Sequence, residues 1–129
     1  MVYLDAHEVL VIHHEILEET GGLHGVRDTG LFQSIIQKPA MTFGGKELYQ
    51  GLFTKAAVYC SAFAQYHVFS DGNKRTSFTA AVRFLYLNNY EVRVPNSVVE
   101  KFIIEVAMKQ HDDVAIAAWF KKYAKKKRK

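Results

Sequence analysis

Nine residues, HVFSDGNKR at positions 67–75, bring together an imidazole (His67), a carboxylate (Asp71), an amide (Asn73), an ammonium (Lys74) and a guanidinium (Arg75). They lie between two of the most apolar segments of the chain, where a buried polar group is costly unless it is paired or used. Gly72 has no side chain, so the backbone can turn sharply there and let a ligand approach closely. With a helix starting just beyond it, the N–H groups of Asn73, Lys74 and Arg75 face outward together. Such a nest at the positive end of a helix suits a phosphate. Lys74 and Arg75 add full charges, and Arg75 can grip two phosphate oxygens at once.

Asp71 would repel a bare phosphate. It makes sense beside Mg2+, which binds one or two carboxylates together with substrate phosphates. His67, four residues earlier, carries an imidazole, a side chain suited to serve as a general base. Anion nest, counter-charges, metal carboxylate and base are together the parts of a phosphate-transfer site. The chain has no GxxxxGK[ST], so this is not a Walker-type loop.

The elements that must hold these groups read mostly as helix. ELYQGLFTKAAVYCSAFAQY, residues 47–66, is apolar around most of its circumference, the mark of a helix buried on nearly all sides. A second apolar helix begins near Arg75 and runs through TSFTAAVRFLYLNN to about residue 89, and Phe69 points inward to anchor the loop between them. Upstream, Asp5 with Glu8 forms a capping arrangement, and Val9, Ile12, Ile16 and Leu17 recur at helical spacing up to Gly21-Gly22. Asp28 caps a short helix through LFQSIIQ that ends near Lys38-Pro39. Residues 40–46, AMTFGGK, form a loop or small flap. Downstream, Tyr90 to Pro95 is extended. Ser97 with Glu100 reads as a capping box for a helix to about residue 109, and Asp112 or Asp113 caps a last one through AIAAWFKKY. The fold class is therefore all-α, a compact single-domain helical bundle over residues 1–120 with the loop between two central helices. Residues 121–129 form a basic tail.

Composition agrees. A chain of 129 residues, 49% hydrophobic with 9 Phe and 7 Tyr, can build one core, and 8 Gly with 2 Pro argue against disorder or a turn-rich all-β design. Cys60 lies in an apolar run with no cysteine to pair with, which suggests a packed thiol in a reducing compartment. MVYLDAHEVL lacks the basic start and apolar stretch of a signal peptide, and no apolar run reaches the roughly 20 residues that span a bilayer. The expectation is a cytoplasmic protein with no membrane partner. Net charge is +4, but the tail KKYAKKKRK holds seven of the 17 basic residues, leaving ten against 13 acidic ones. No aromatic-interleaved basic face continues into the body, so the tail reads as a solvated, frayed terminus rather than a nucleic-acid contact.

Other clusters point away from chemistry. His13-His14 with Glu15 and Glu18 could suggest metal ligands, but adjacent residues on a helix point about 100° apart. No second ligand group follows at telling spacing, which argues against a metal there. His7 and His111 sit beside helix starts and read as surface residues. The Tyr and Phe residues along 47–66 read as core rather than as a stacking platform for bases.

HVFSDGNKRT also resembles the signature of the Fic/Doc family, and within it of the death-on-curing (Doc) toxins. The similarity extends to GGLHGVRDTGLF upstream and FLYLNNYEV downstream, covering roughly residues 4–110. It implies a small helical bundle with the motif loop between its central helices, and an enzyme that uses a nucleoside triphosphate and Mg2+ to modify a protein hydroxyl. Fic-type members transfer the nucleotidyl group. Doc toxins transfer a phosphoryl group to a threonine of the translation elongation factor that delivers aminoacyl-tRNA, and a separate antitoxin protein neutralises them. Residue by residue, the resemblance implies His67 as the catalytic histidine, Asp71 as the metal ligand, Asn73 as a phosphate-orienting residue and Gly72 as the position that shapes the nest. Lys74 stands where Fic enzymes carry a second glycine and points to the Doc branch. Two departures are Val68, where many members have proline, and Phe78, where Fic enzymes tend to have a phosphate-binding arginine. Residues 39–46 match, by position, a flap that aligns the target segment. No (S/T)xxxE(G/N) inhibitory helix is evident, so inhibition is expected from a separate chain.

The expected function is thus that of a toxin in a toxin–antitoxin pair. It would transfer the γ-phosphoryl group of ATP or another triphosphate to a threonine of a translation elongation factor. The alternatives are Fic-type nucleotidyl transfer to a protein hydroxyl, and a non-catalytic module that binds anions or nucleic acid through the nest and tail.

Overall fold

The computed structural model describes residues 1–127, which form α1 (Ala6–Thr20), α2 (Thr29–Gln37), a 3-10 turn (Lys38–Ala40), β1 (Thr42–Phe43), β2 (Lys46–Glu47), α3 (Leu52–Gln65), α4 (Asn73–Leu87), β3 (Tyr90–Val92), α5 (Asn96–Ala107), α6 (Asp113–Tyr123) and β4 (Ala124–Lys126). Three aspartates open helices as their positions predict. Asp5 accepts from the Glu8 N–H, Asp28 from the Leu31 N–H and Asp112 from the Ala115 N–H, at 2.8, 2.9 and 2.8 Å. Each cap satisfies a donor that the helix cannot, worth about 1 kcal/mol.

α3 is the axis of the bundle. Every residue from Lys55 to Ala64 is buried, because α4, α5 and α6 surround it. Tyr59, Phe63, Phe69, Phe84 and Phe120 are fully buried around it, and removing one such ring would cost about 3–5 kcal/mol. Cys60 lies in this core, where burial pushes its thiol up to about 12 and leaves it packed rather than reactive. The all-α expectation holds, with two short two-stranded antiparallel sheets added to the helices, one a hairpin and the other formed across α5 and α6.

The structure corrects several boundaries. α3 starts at Leu52, not Glu47, because Lys46 and Glu47 pair with Phe43 and Thr42 in a hairpin and Gly51 turns the chain at φ +92°. α4 starts at Asn73, two residues before Arg75. The Ser97–Glu100 capping box does not form. α5 begins at Asn96, with Pro95 as its N-cap and no side-chain cap, and the Pro95 carbonyl accepts from the N–H groups of Val98 and Val99. The basic tail is not frayed where it is described. Lys121 and Lys122 close α6, and Ala124–Lys126 pairs antiparallel with Tyr90–Val92. Its ammonium groups suit a helix C-terminus and an outer strand. Residues 128 and 129 lie outside the described residues. No helix among the described residues is long and apolar enough to cross a membrane.

Candidate active site

The motif loop is fixed from both sides. After α3 ends, His67 takes a left-handed backbone conformation at φ +49° with its side chain exposed. That conformation is unfavourable for a residue with a Cβ and persists only where the surroundings impose it. Val68 and Phe69 impose it, because both are fully buried and hydrogen bonds flank them. On one side the Arg27 N–H donates to the Val68 carbonyl at 2.6 Å and the Ser70 N–H to the Gly25 carbonyl at 3.2 Å, making an antiparallel bridge of Val26 and Phe69. On the other side Asn73 mimics a strand. Its Oδ1 accepts from the Phe69 N–H and its Nδ2 donates to the Phe69 carbonyl, both at 3.0 Å.

His13 supports the loop from below. Its ring stacks on Phe69 with centroids 3.9 Å apart, and its Nε2 donates to the Asp71 carbonyl at 2.8 Å. A carbonyl only accepts, so this bond selects the neutral tautomer with hydrogen on Nε2. Burial holds the His13 pKa below its ordinary value, against the opposing pull of that hydrogen bond. The residues next to His13 in the sequence gave no sign of this role, because its partners Phe69 and Asp71 lie more than 50 positions away.

Asp71 is exposed, and its Oδ2 accepts from the Leu23 N–H at 2.7 Å. Gly22, at φ +120°, lets the chain pass close by. A Cβ there would sit 3.1 Å from Asp71 Cβ and 3.3 Å from Oδ2. The segment GGLHGVR therefore aims the carboxylate and clamps the loop together. Oδ1 has no protein partner among the described residues, and an exposed carboxylate with one oxygen oriented and one free fits a Mg2+ ligand.

Gly72 is the N-cap of α4, left-handed at φ +79°, and supplies no side-chain cap. The aspartate beside it, Asp71, is turned away to Leu23 instead of capping as Asp5, Asp28 and Asp112 do. The first turn, Asn73, Lys74 and Arg75, is thus left open to an anion. Lys74 and Arg75 are exposed and enter a cleft of about 260 Å³ whose other walls include Phe78, Asn96, Val99 and Glu100. His67 and Asp71 do not line that cleft. Phe78 packs on Trp119 and Phe120, so it builds core and cleft wall where Fic enzymes tend to place a cation.

The flap of residues 39–46 is the β1–β2 hairpin, with Phe43 80% exposed beside the Gly44-Gly45 turn. Its root is tied to the core by Lys55, a wholly buried lysine that sequence reasoning took for part of an apolar helix. Lys55 Nζ donates to the Pro39 carbonyl at 2.9 Å and pairs with Glu47 Oε1 at 3.2 Å. His111, expected as a plain surface residue, is half-buried and contacts Glu105 at 2.9 Å.

Residues 3–85, from before α1 into the last turn of α4 and so on both sides of the loop, match the model of the Fic/DOC family. The chain belongs to that family. It is 36% identical over 118 residues to "Toxin Doc" of Mycolicibacterium smegmatis, covering 90% of this chain and 88% of that protein. It is 33% identical over 92 residues to "Protein kinase doc" of Escherichia phage P1, covering 71% and 72%. Both relatives stand on the Doc side of the family, in agreement with Lys74 at the position where Fic enzymes carry glycine.

Proposed function

We propose that this Fic/Doc chain is the toxin of a toxin–antitoxin pair and acts as a protein kinase. It would transfer the γ-phosphoryl group of ATP, or another triphosphate, to a threonine of a translation elongation factor. The observation that carries this reading is the open N-terminus of α4, with Lys74 and Arg75 exposed on its first turn and Asp71 turned aside. The similarity to proteins named toxin and protein kinase supports it.

In this mechanism an imidazole nitrogen of His67 takes the proton of the target hydroxyl as its oxygen bonds to the γ-phosphorus. The bond from that phosphorus to the β–γ bridging oxygen breaks, and ADP leaves. The N–H groups of Asn73, Lys74 and Arg75, with the two cationic side chains, hold the phosphates and stabilise the equatorial oxygens. Asn73 keeps one Nδ2 hydrogen beyond its bonds to Phe69. Asp71 would hold Mg2+ through its free oxygen, and the ion when bound supplies charge neutralisation of the phosphates. In this reading the exposed flap would receive an extended target segment. Neutralisation by a separate antitoxin chain is part of the same reading.

The test is incubation of protein, Mg2+ and elongation factor with ATP labelled at the α or the γ phosphate. Label reaching the factor only from the γ position supports kinase action. Label only from the α position would replace it with nucleotidyl transfer. His67→Ala is expected to lose at least about 100-fold in rate, the usual worth of a positioned general base. Transfer by that variant at the parent rate removes His67 from the base role.

A further inference from the structure

The histidine pair of α1 divides its labour in a way that adjacent sequence positions hide. His13 is buried under the loop, while His14, about 100° further round the helix, points to solvent and is 61% exposed. One turn further on, Glu18 Oε1 lies 3.3 Å from His14 Nε2. The third member comes from the clamp segment. The His24 ring is 5.1 Å from that of His14, and ligand atoms of His14, Glu18 and His24 all lie within 4.8 Å of one another. This is the one such group among the described residues.

We propose that His14, Glu18 and His24 form a binding site for a transition-metal dication, with Zn2+ the best fit. Two imidazoles and a carboxylate are a donor set that Zn2+ accepts with a fourth position left to water, whereas Mg2+ prefers oxygen ligands alone. Tetrahedral Zn2+ with arms of about 2.0–2.1 Å needs ligand atoms roughly 3.3 Å apart. His14 and Glu18 already have that separation, and His24 sits on an exposed loop within about a side-chain rotation of it. His24 is hard to pair with His14 from the sequence alone, because it lies ten residues away and reaches the helix only through the Gly21-Gly22 turn. The site is separate from the Asp71 position and independent of the kinase reading. Its consequence would be mechanical. His24 lies between Leu23, which orients Asp71, and Gly25, which holds Ser70, so a metal bridge would fasten the clamp of the motif loop to α1.

The experiment is titration of the chelator-treated full chain with ZnCl2 by calorimetry, and with CoCl2 by visible spectroscopy. One Zn2+ per chain, a raised melting temperature and the intense d–d bands of four-coordinate Co2+ are expected. His14→Ala and His24→Ala should each weaken Zn2+ binding at least about tenfold, since even outer partners of metal ligands are worth that much. Glu15→Ala, one residue along the same helix, should leave it unchanged. All three positions are exposed, so the variants fold. Zn2+ binding of equal strength in the parent, His14→Ala and His24→Ala overturns the proposal, as does binding with no fixed stoichiometry.

Discussion

Asn73 offers the sharpest test of how the site is built. The family resemblance gives it to the phosphate, yet both of its polar atoms are spent on the backbone of Phe69. In Asn73→Ala the Phe69 N–H and carbonyl lose their partners, and the bridge to Val26 cannot compensate, because its bonds run through Val68 and Ser70 instead. Two net hydrogen bonds at about 0.5–1.5 kcal/mol each set the lower estimate, and the desolvation of two orphaned groups raises it. Because these groups are only partly buried, water recovers some of that cost, and we expect about 2–3 kcal/mol. For a chain of this length that corresponds to a fall in melting temperature of about 6–15 °C. Urea unfolding followed by circular dichroism would read it as a lower midpoint with an unchanged slope. Lys74→Ala, on the exposed first turn, is the control and should stay within about 0.5 kcal/mol of the parent. An Asn73→Ala midpoint equal to the parent's, with phosphoryl transfer abolished, would refute the lock and return Asn73 to the role of a plain ligand.

Three further outcomes follow from the same contacts. Folding keeps His13 neutral below its ordinary pKa of 6.5, so the unfolded chain binds the extra proton first and stability falls as pH drops below that value. The difference in melting temperature between parent and His13→Gln, measured from pH 7.5 to 5, should shrink toward acid; a constant difference would refute it. Gly22→Ala should push Asp71 off its Leu23 contact and raise the Mg2+ concentration needed for half-maximal transfer several-fold, whereas Gly25→Ala, which meets no neighbour, should shift it less. Glu47→Ala leaves the buried Lys55 charge with only the Pro39 carbonyl and the Tyr3 ring and should cost about 1–2 kcal/mol, the half-exposed carboxylate being partly screened. Lys55→Met removes the buried charge altogether and should unfold at a higher temperature than Glu47→Ala; the reverse order would sink this account of the pair.

The helices were legible because their signals are local. Asp5, Asp28 and Asp112 each act within three residues of themselves, and the burial of α3 shows in its composition. The misread boundaries have the opposite character. Glu47 looks helical until Lys55, eight residues on, and Thr42, across the hairpin, claim it. Ser97 and Glu100 have the spacing of a capping box, but the preceding proline already supplies an extended N-cap whose carbonyl starts the helix. The strand formed by Ala124–Lys126 carries almost no β signal of its own, and only its pairing with Tyr90–Val92 makes it one.

The site divides the same way. The chemistry-bearing groups stand together in nine residues and announce themselves by type, while the groups that hold them come from residues 13 and 22–27, more than 40 positions away. Physical necessity links the two sets. A left-handed His67 is strained by about 1–3 kcal/mol, and a loop free to relax would discharge that strain by moving the imidazole from its present position. The buried Val68 and Phe69, the bridge through Val26 and the Asn73 lock together exceed that strain. It follows for the proposed mechanism that a substitution such as Val26→Gly, which touches no reacting group, should slow transfer more than it impairs nucleotide binding, because it loosens the position of His67 and leaves the first turn of α4 intact.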